Sequence, residues 1–136
     1  MNIIETSGLT KKFNKKVALD NLDITVKKGE VLGYLGPNGA GKTVTIRLLL
    51  GLIKPTSGNA TILGKDVTKN AADIHKNIAY VPGETSYWPS LSGAETLKFL
   101  ANIHGTTDEK YQAELIKKFR FDPNKKIRTY SKGNRQ

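Results

Sequence analysis

The sequence predicts an α/β fold organised around one phosphate-binding turn. Three observations predict it. Glu30-Val31-Leu32-Gly33-Tyr34-Leu35 is an apolar run of strand type with little alternation, the pattern of a strand buried on both faces. Gly36-Pro37-Asn38-Gly39-Ala40-Gly41-Lys42-Thr43 follows directly and fits G-x-x-x-x-G-K-[ST], the P-loop motif. Val44 to Leu52 is then an apolar run of helical length. A strand entering a glycine-rich turn that opens a helix is the context the motif requires.

The chemistry follows from the residue types. Glycines let the loop curl so that successive backbone N–H groups point inward. Such a nest, set on the positive end of a helix dipole, binds oligophosphate. Lys42 would reach the β- and γ-phosphates, and the Thr43 hydroxyl would hold Mg²⁺.

Composition bounds the rest. A chain of 136 residues is one domain by length, and 38% hydrophobic with 25% charged residues is an ordinary globular balance. No cysteine is present, which removes disulfide, zinc-thiolate and cysteine-nucleophile chemistry. Met1-Asn2-Ile3-Ile4-Glu5 does not read as a signal peptide. The longest apolar stretch, Thr45 to Ile53, is broken by Arg47 and Gly51 and is far short of the roughly 20 residues a bilayer needs, so a soluble or peripheral protein is expected. The formal charge of +10 raises nucleic acid, acidic lipid or polyphosphate as partners. The lysines are scattered, however, and read as solvated surface.

Taken in order, Ile3, Ile4, Thr6 and Leu9 suggest a first strand ending near Thr10-Lys11-Lys12-Phe13, with Asn14-Lys15-Lys16 as turn material. Leu22-Asp23-Ile24-Thr25-Val26 alternates, as a half-exposed antiparallel strand does. The P-loop helix ends near Gly51, where Lys54-Pro55-Thr56-Ser57-Gly58 stops it. Asn59-Ala60-Thr61-Ile62-Leu63 is a short strand closed by Gly64-Lys65-Asp66, and Asn70 to Lys76 carries a helix signal. Ile78-Ala79-Tyr80-Val81 is a strand ended by Pro82-Gly83. Ser92-x-x-Glu95 opens one helix and Thr106-x-x-Glu109 another, the second with Tyr111, Leu115 and Phe119 at i, i+4 and i+8. Asp122-Pro123-Asn124 breaks it, and the segment from Ser131 starts a further helix.

Several of these segments together resemble the ATP-binding-cassette family of nucleotide-binding domains. Gly36, Pro37, Asn38, Gly39, Ala40, Gly41, Lys42 and Thr43 spell the family's Walker A motif, and Val44 stands where a second hydroxyl often meets the α-phosphate. Leu9-Thr10-Lys11-Lys12-Phe13 resembles the aromatic loop, so the resemblance implies that Phe13 stacks on adenine; read without it, Phe13 is better taken as a core residue. Tyr80-Val81-Pro82-Gly83-Glu84 falls at the Q-loop but carries Gly83 at the glutamine position, which leaves Glu84 as a candidate Mg²⁺ or water contact, or as an exposed loop glutamate. Tyr130-Ser131-Lys132-Gly133-Asn134 resembles the signature motif. Ser131, Gly133 and Asn134 would then face the nucleotide of an opposite subunit.

The resemblance implies a P-loop NTPase core of ABC type, with an N-terminal antiparallel β subdomain and a partial helical subdomain, divided at 1–84 and 85–136, its sheet incomplete. It implies ATP and Mg²⁺ as cofactors, a head-to-tail second nucleotide-binding subunit, and membrane-spanning partners at the cytoplasmic face of the membrane. No nucleic acid is expected. The Walker B acid, the catalytic glutamate and the switch histidine have no match in this sequence, so family-level turnover by this chain alone is not expected. His75 and His104 precede the signature and read as surface or packing residues, and Trp88 as packing or a partner contact. The strands at 31–35 and 78–81 are expected to lack ladder partners. The wording looks like exporter-type members. A GTPase or small-molecule kinase is the alternative P-loop class, but Asp-x-x-Gly and Asn-Lys-x-Asp are missing. A non-catalytic remnant is the other alternative.

Overall fold

The computed structural model describes residues 1–83, 86–105 and 107–135 and divides into two compact units, Met1–Ala79 and Tyr80–Gln136.

The first unit is built on a hairpin. Strand β1 (Asn2–Phe13) turns at Asn14 and Lys15 into β2 (Lys16–Lys27), and the two pair antiparallel from Asn2↔Lys27 to Phe13↔Lys16. Asn14 takes a left-handed φ of 52°, a conformation asparagine tolerates better than most residues. The sequence places the second strand at 22–26 only. The structure starts it six residues earlier, because pairing with the far half of β1 satisfies backbone groups that the weak pattern of 16–21 does not advertise. Helix α1 (Lys42–Leu49) follows the glycine loop. Strands β3 (Ser57–Ile62) and β4 (Lys65–Asp66) form a second hairpin, and the sheet order is β2-β1-β3-β4, antiparallel throughout. Helix α2 (Ala71–His75) closes the unit. One core holds it together: Leu9, Leu19, Ala60 and Ile62 from the sheet meet Leu48 of α1, Val67, and Ile74 of α2.

Residues 31–35 and 78–81 form no strand, which corrects the strands assigned there. The reason is the missing ladder that the sequence anticipates. An apolar run becomes a strand only when a neighbour satisfies its N–H and C=O groups, and the open sheet supplies none among the described residues. Val31 is consequently 97% exposed and Leu35 92%.

The second unit is helical. Helix α3 (Gly93–His104) begins with the anticipated capping box. The Ser92 N–H donates to Glu95 Oε2 at 2.6 Å and the Glu95 N–H donates to Ser92 Oγ at 3.2 Å. Helix α4 (Glu109–Lys118) is capped by Asp108, whose Oδ1 accepts from the Tyr111 N–H at 2.9 Å. The sequence nominates Thr106 for that cap, and Thr106 lies outside the described residues. A 3-10 turn (Ile127–Thr129) leads to the short α5 (Lys132–Arg135). Ile127 and Tyr130 are buried, and the Phe121 and Tyr130 rings lie 5.1 Å apart. Among the described residues no helix is long and apolar enough to cross a membrane.

Candidate functional site

The glycine loop forms a closed turn at the mouth of α1. Gly39 and Gly41 adopt φ values of 87° and 83°, and the Ala40 N–H donates to the Pro37 carbonyl at 3.2 Å. Gly41 is the position where only glycine fits. A Cβ there would sit 2.7 Å from the Ala18 carbonyl oxygen, besides straining a left-handed backbone. The loop therefore rests directly on β2.

That contact brings the hairpin tip to the same end of the unit. Ala18 lies two residues beyond Lys16, the register partner of Phe13. Phe13 is half-exposed and not in the core cluster, and the Lys11 ammonium sits 5.0 Å above its ring. A flat aromatic face with an open side is thus held at the end of the sheet that carries the phosphate loop.

Within the loop, the Lys42 ammonium donates to the Gly36 carbonyl and, at 2.7 Å, to the Pro37 carbonyl. Its cation is folded over the loop that it would share with phosphate oxygens. The first N–H groups of any helix lack carbonyl partners inside it, and those of α1 open into this turn. Thr43 is exposed in the first turn of α1, with its hydroxyl available to a cation. Val44 instead turns its side chain toward the core. The cradle fits a polyphosphate with Mg²⁺: Lys42 and the loop amides would hold the phosphates, Thr43 the metal.

Two residues that sequence reasoning passed over stabilise the loop from beneath. Thr45 is 1% exposed, and its hydroxyl donates to the Gly41 carbonyl at 3.1 Å. The Tyr34 hydroxyl lies 3.1 Å from the same Thr45 oxygen. A threonine four residues after the last loop glycine, inside an apolar helix, was the available signal.

The signature residues belong to the second unit. Ser131 Oγ accepts from the Asn134 N–H at 3.2 Å, and Ser131, Gly133 and Asn134 are all exposed. The preceding Tyr130 anchors them by donating its hydroxyl to the Asp122 carbonyl at 2.6 Å. Burial, with the Asp122 carboxylate adding to it, pushes the Tyr130 phenol above its ordinary range, so it stays a donor at neutral pH. Glu84 lies outside the described residues.

Comparison with known proteins agrees with this geometry. The family model described as ABC transporter matches residues 19–136. The chain is 45% identical over 103 residues to the bacitracin transport ATP-binding protein BcrA of Bacillus licheniformis, covering 76% of this chain and 34% of that protein. It is 38% identical over 138 residues to the daunorubicin/doxorubicin resistance ATP-binding protein DrrA of Streptomyces peucetius, covering 98% of this chain and 42% of that protein. It thus spans less than half the length of either curated relative. A solved structure described as the ATP-binding subunit of an ABC transporter superposes with a TM-score of 0.81 at 26% identity, over 96% of this chain and 57% of that one. With the motif, the loop geometry and the family match in agreement, the chain belongs to the ABC transporter family, within its ATP-binding domain.

Proposed function

We propose that this chain is the nucleotide-gripping part of an ABC transporter subunit that binds MgATP and couples its hydrolysis to membrane-spanning partners. The observation that carries the reading is the loop between Leu35 and Val44, with two left-handed glycines and the Lys42 ammonium folded onto its own carbonyls. In this reading Lys42 leaves the Gly36 and Pro37 carbonyls for phosphate oxygens, Thr43 takes a place on the metal, and Phe13 stacks on the adenine. Bound Mg²⁺ would neutralise charge on the β- and γ-phosphates. Glu84 is a candidate outer contact to metal or water.

Ser131, Gly133 and Asn134 serve the nucleotide of a second, head-to-tail subunit, and the assembly works at the cytoplasmic face of a membrane. Two relatives, one named for bacitracin transport and one for drug resistance, support an exporter-type role.

The test is equilibrium binding of MgATP to the folded chain, with Lys42→Ala as control. Saturable binding, weakened at least tenfold by the substitution, is expected. A folded chain indifferent to millimolar MgATP would overturn the reading.

A further inference from the structure

His75 stands at a joint that the nucleotide-binding reading leaves unused. Its Nε2 lies 2.7 Å from the carbonyl oxygen of Leu50, the residue that caps the C-terminal end of α1. The last carbonyls of a helix have no partner within it, and the negative end of the helix dipole gathers there, so a donor is favoured at that spot. Two neighbouring contacts fix the same joint. Ile74, beside His75 on α2, is buried in the core with Leu48. Gly51 turns the chain out of α1 at φ 66°, where a Cβ would lie 2.6 Å from the Val67 carbonyl and 3.1 Å from Ala71 Cβ. The chain around α2 is therefore packed against the end of α1 that points away from the phosphate loop.

Helix α1 has 8 residues, so it spans only about 12 Å. Thr45 in its middle and Leu48 near its C-terminal end are both buried, so the short helix is held along its length as one piece. A short rigid rod transmits a tilt at one end to the other. We infer that His75 is a positioning residue for nucleotide binding: by donating to the Leu50 carbonyl, it holds the P-loop helix at the tilt its N-terminal amides need to meet phosphate. This rests on the nucleotide-binding reading above.

The experiment compares the unaltered chain with His75→Leu, which keeps bulk and loses the donor, and His75→Gln, whose amide can donate to the same carbonyl. Three quantities are read: MgATP affinity, the urea unfolding midpoint, and amide exchange at residues 50–52. His75→Leu is expected to bind MgATP about threefold to tenfold more weakly, the equivalent of one ordinary hydrogen bond. Exchange at 50–52 should quicken while the midpoint stays put, because His75 is exposed. His75→Gln should restore both. The inference falls if His75→Leu binds like the parent, if its loss of affinity merely tracks a lowered midpoint, or if His75→Gln restores nothing. Should the unaltered chain bind no MgATP, the nucleotide-binding reading fails instead. The exchange rates at 50–52 still decide whether His75 holds the helix.

Discussion

The Tyr34 hydroxyl lies 3.1 Å from Thr45 Oγ1, and the Thr45 hydroxyl in turn donates to the Gly41 carbonyl. This chain of hydroxyls joins the segment entering the phosphate loop to the helix leaving it. Removing Tyr34's hydroxyl as Tyr34→Phe leaves the Thr45–Gly41 bond intact and should cost about 1 kcal/mol. Thr45→Val removes a buried donor and strands the Tyr34 hydroxyl, which should cost about 1–3 kcal/mol. Urea unfolding of both variants and the double variant gives the coupling; strict additivity would contradict a shared network.

Gly41→Ala is expected to damage fold and site together. The left-handed backbone alone costs about 1–3 kcal/mol for a residue with a Cβ, and the new methyl would press on the Ala18 carbonyl. Both the unfolding midpoint and MgATP affinity should fall, with the loop displaced from β2. An unchanged midpoint would mean the loop does not rest on the hairpin.

Leu48 is wholly buried at the centre of the core that α1 shares with the sheet. Leu48→Ala should cost about 2–5 kcal/mol through lost burial and the cavity left behind. Against a typical total of about 5–15 kcal/mol that is enough to leave much of the chain unfolded, readable by circular dichroism at room temperature.

The α3 capping box titrates. The Ser92 N–H, then the Ser92 hydroxyl and the Lys126 charge, hold the Glu95 carboxyl below the ordinary glutamate range. A lowered folded value means that the contribution is fully present above the unfolded value and is lost as pH falls through the folded one. Acid titration should therefore fray the start of α3, followed by the amide shifts of Ser92 and Gly93. Glu95→Gln should remove that step; a step that persists belongs to another carboxylate.

Val31 projects almost wholly into solvent from an apolar segment that joins no strand among the described residues. Such segments invite association with other chains. Val31→Lys should lower self-association, measured by light scattering after size-exclusion, with little change in unfolding midpoint, since the side chain is almost wholly exposed. Equal aggregation would place the adhesive surface elsewhere.

Some of this was legible residue by residue. The spacing from Gly36 to Thr43 announces the loop because backbone curvature depends on which residues lack a Cβ. The box at Ser92 and Glu95 is legible because it is closed within one helical turn. The far half of β2 was not, since its pairing is decided by β1 and not by its own pattern. The strands at 31–35 and 78–81 show the reverse: their composition is right, but composition cannot supply a neighbour.

By itself, then, the sequence determined the local features: a glycine-rich turn of P-loop wording with its lysine and threonine, the capping box at Ser92, and the family those motifs belong to. Only the tertiary structure decided that Gly41 rests on Ala18, that the hairpin tip bearing Phe13 shares the loop's end of the sheet, and that His75 meets the far end of the loop's helix. The reason is distance along the chain. Motifs and caps are made by residues within a few positions of one another, whereas these contacts join residues about 20 or more apart, and chain folding rather than local preference brings them together.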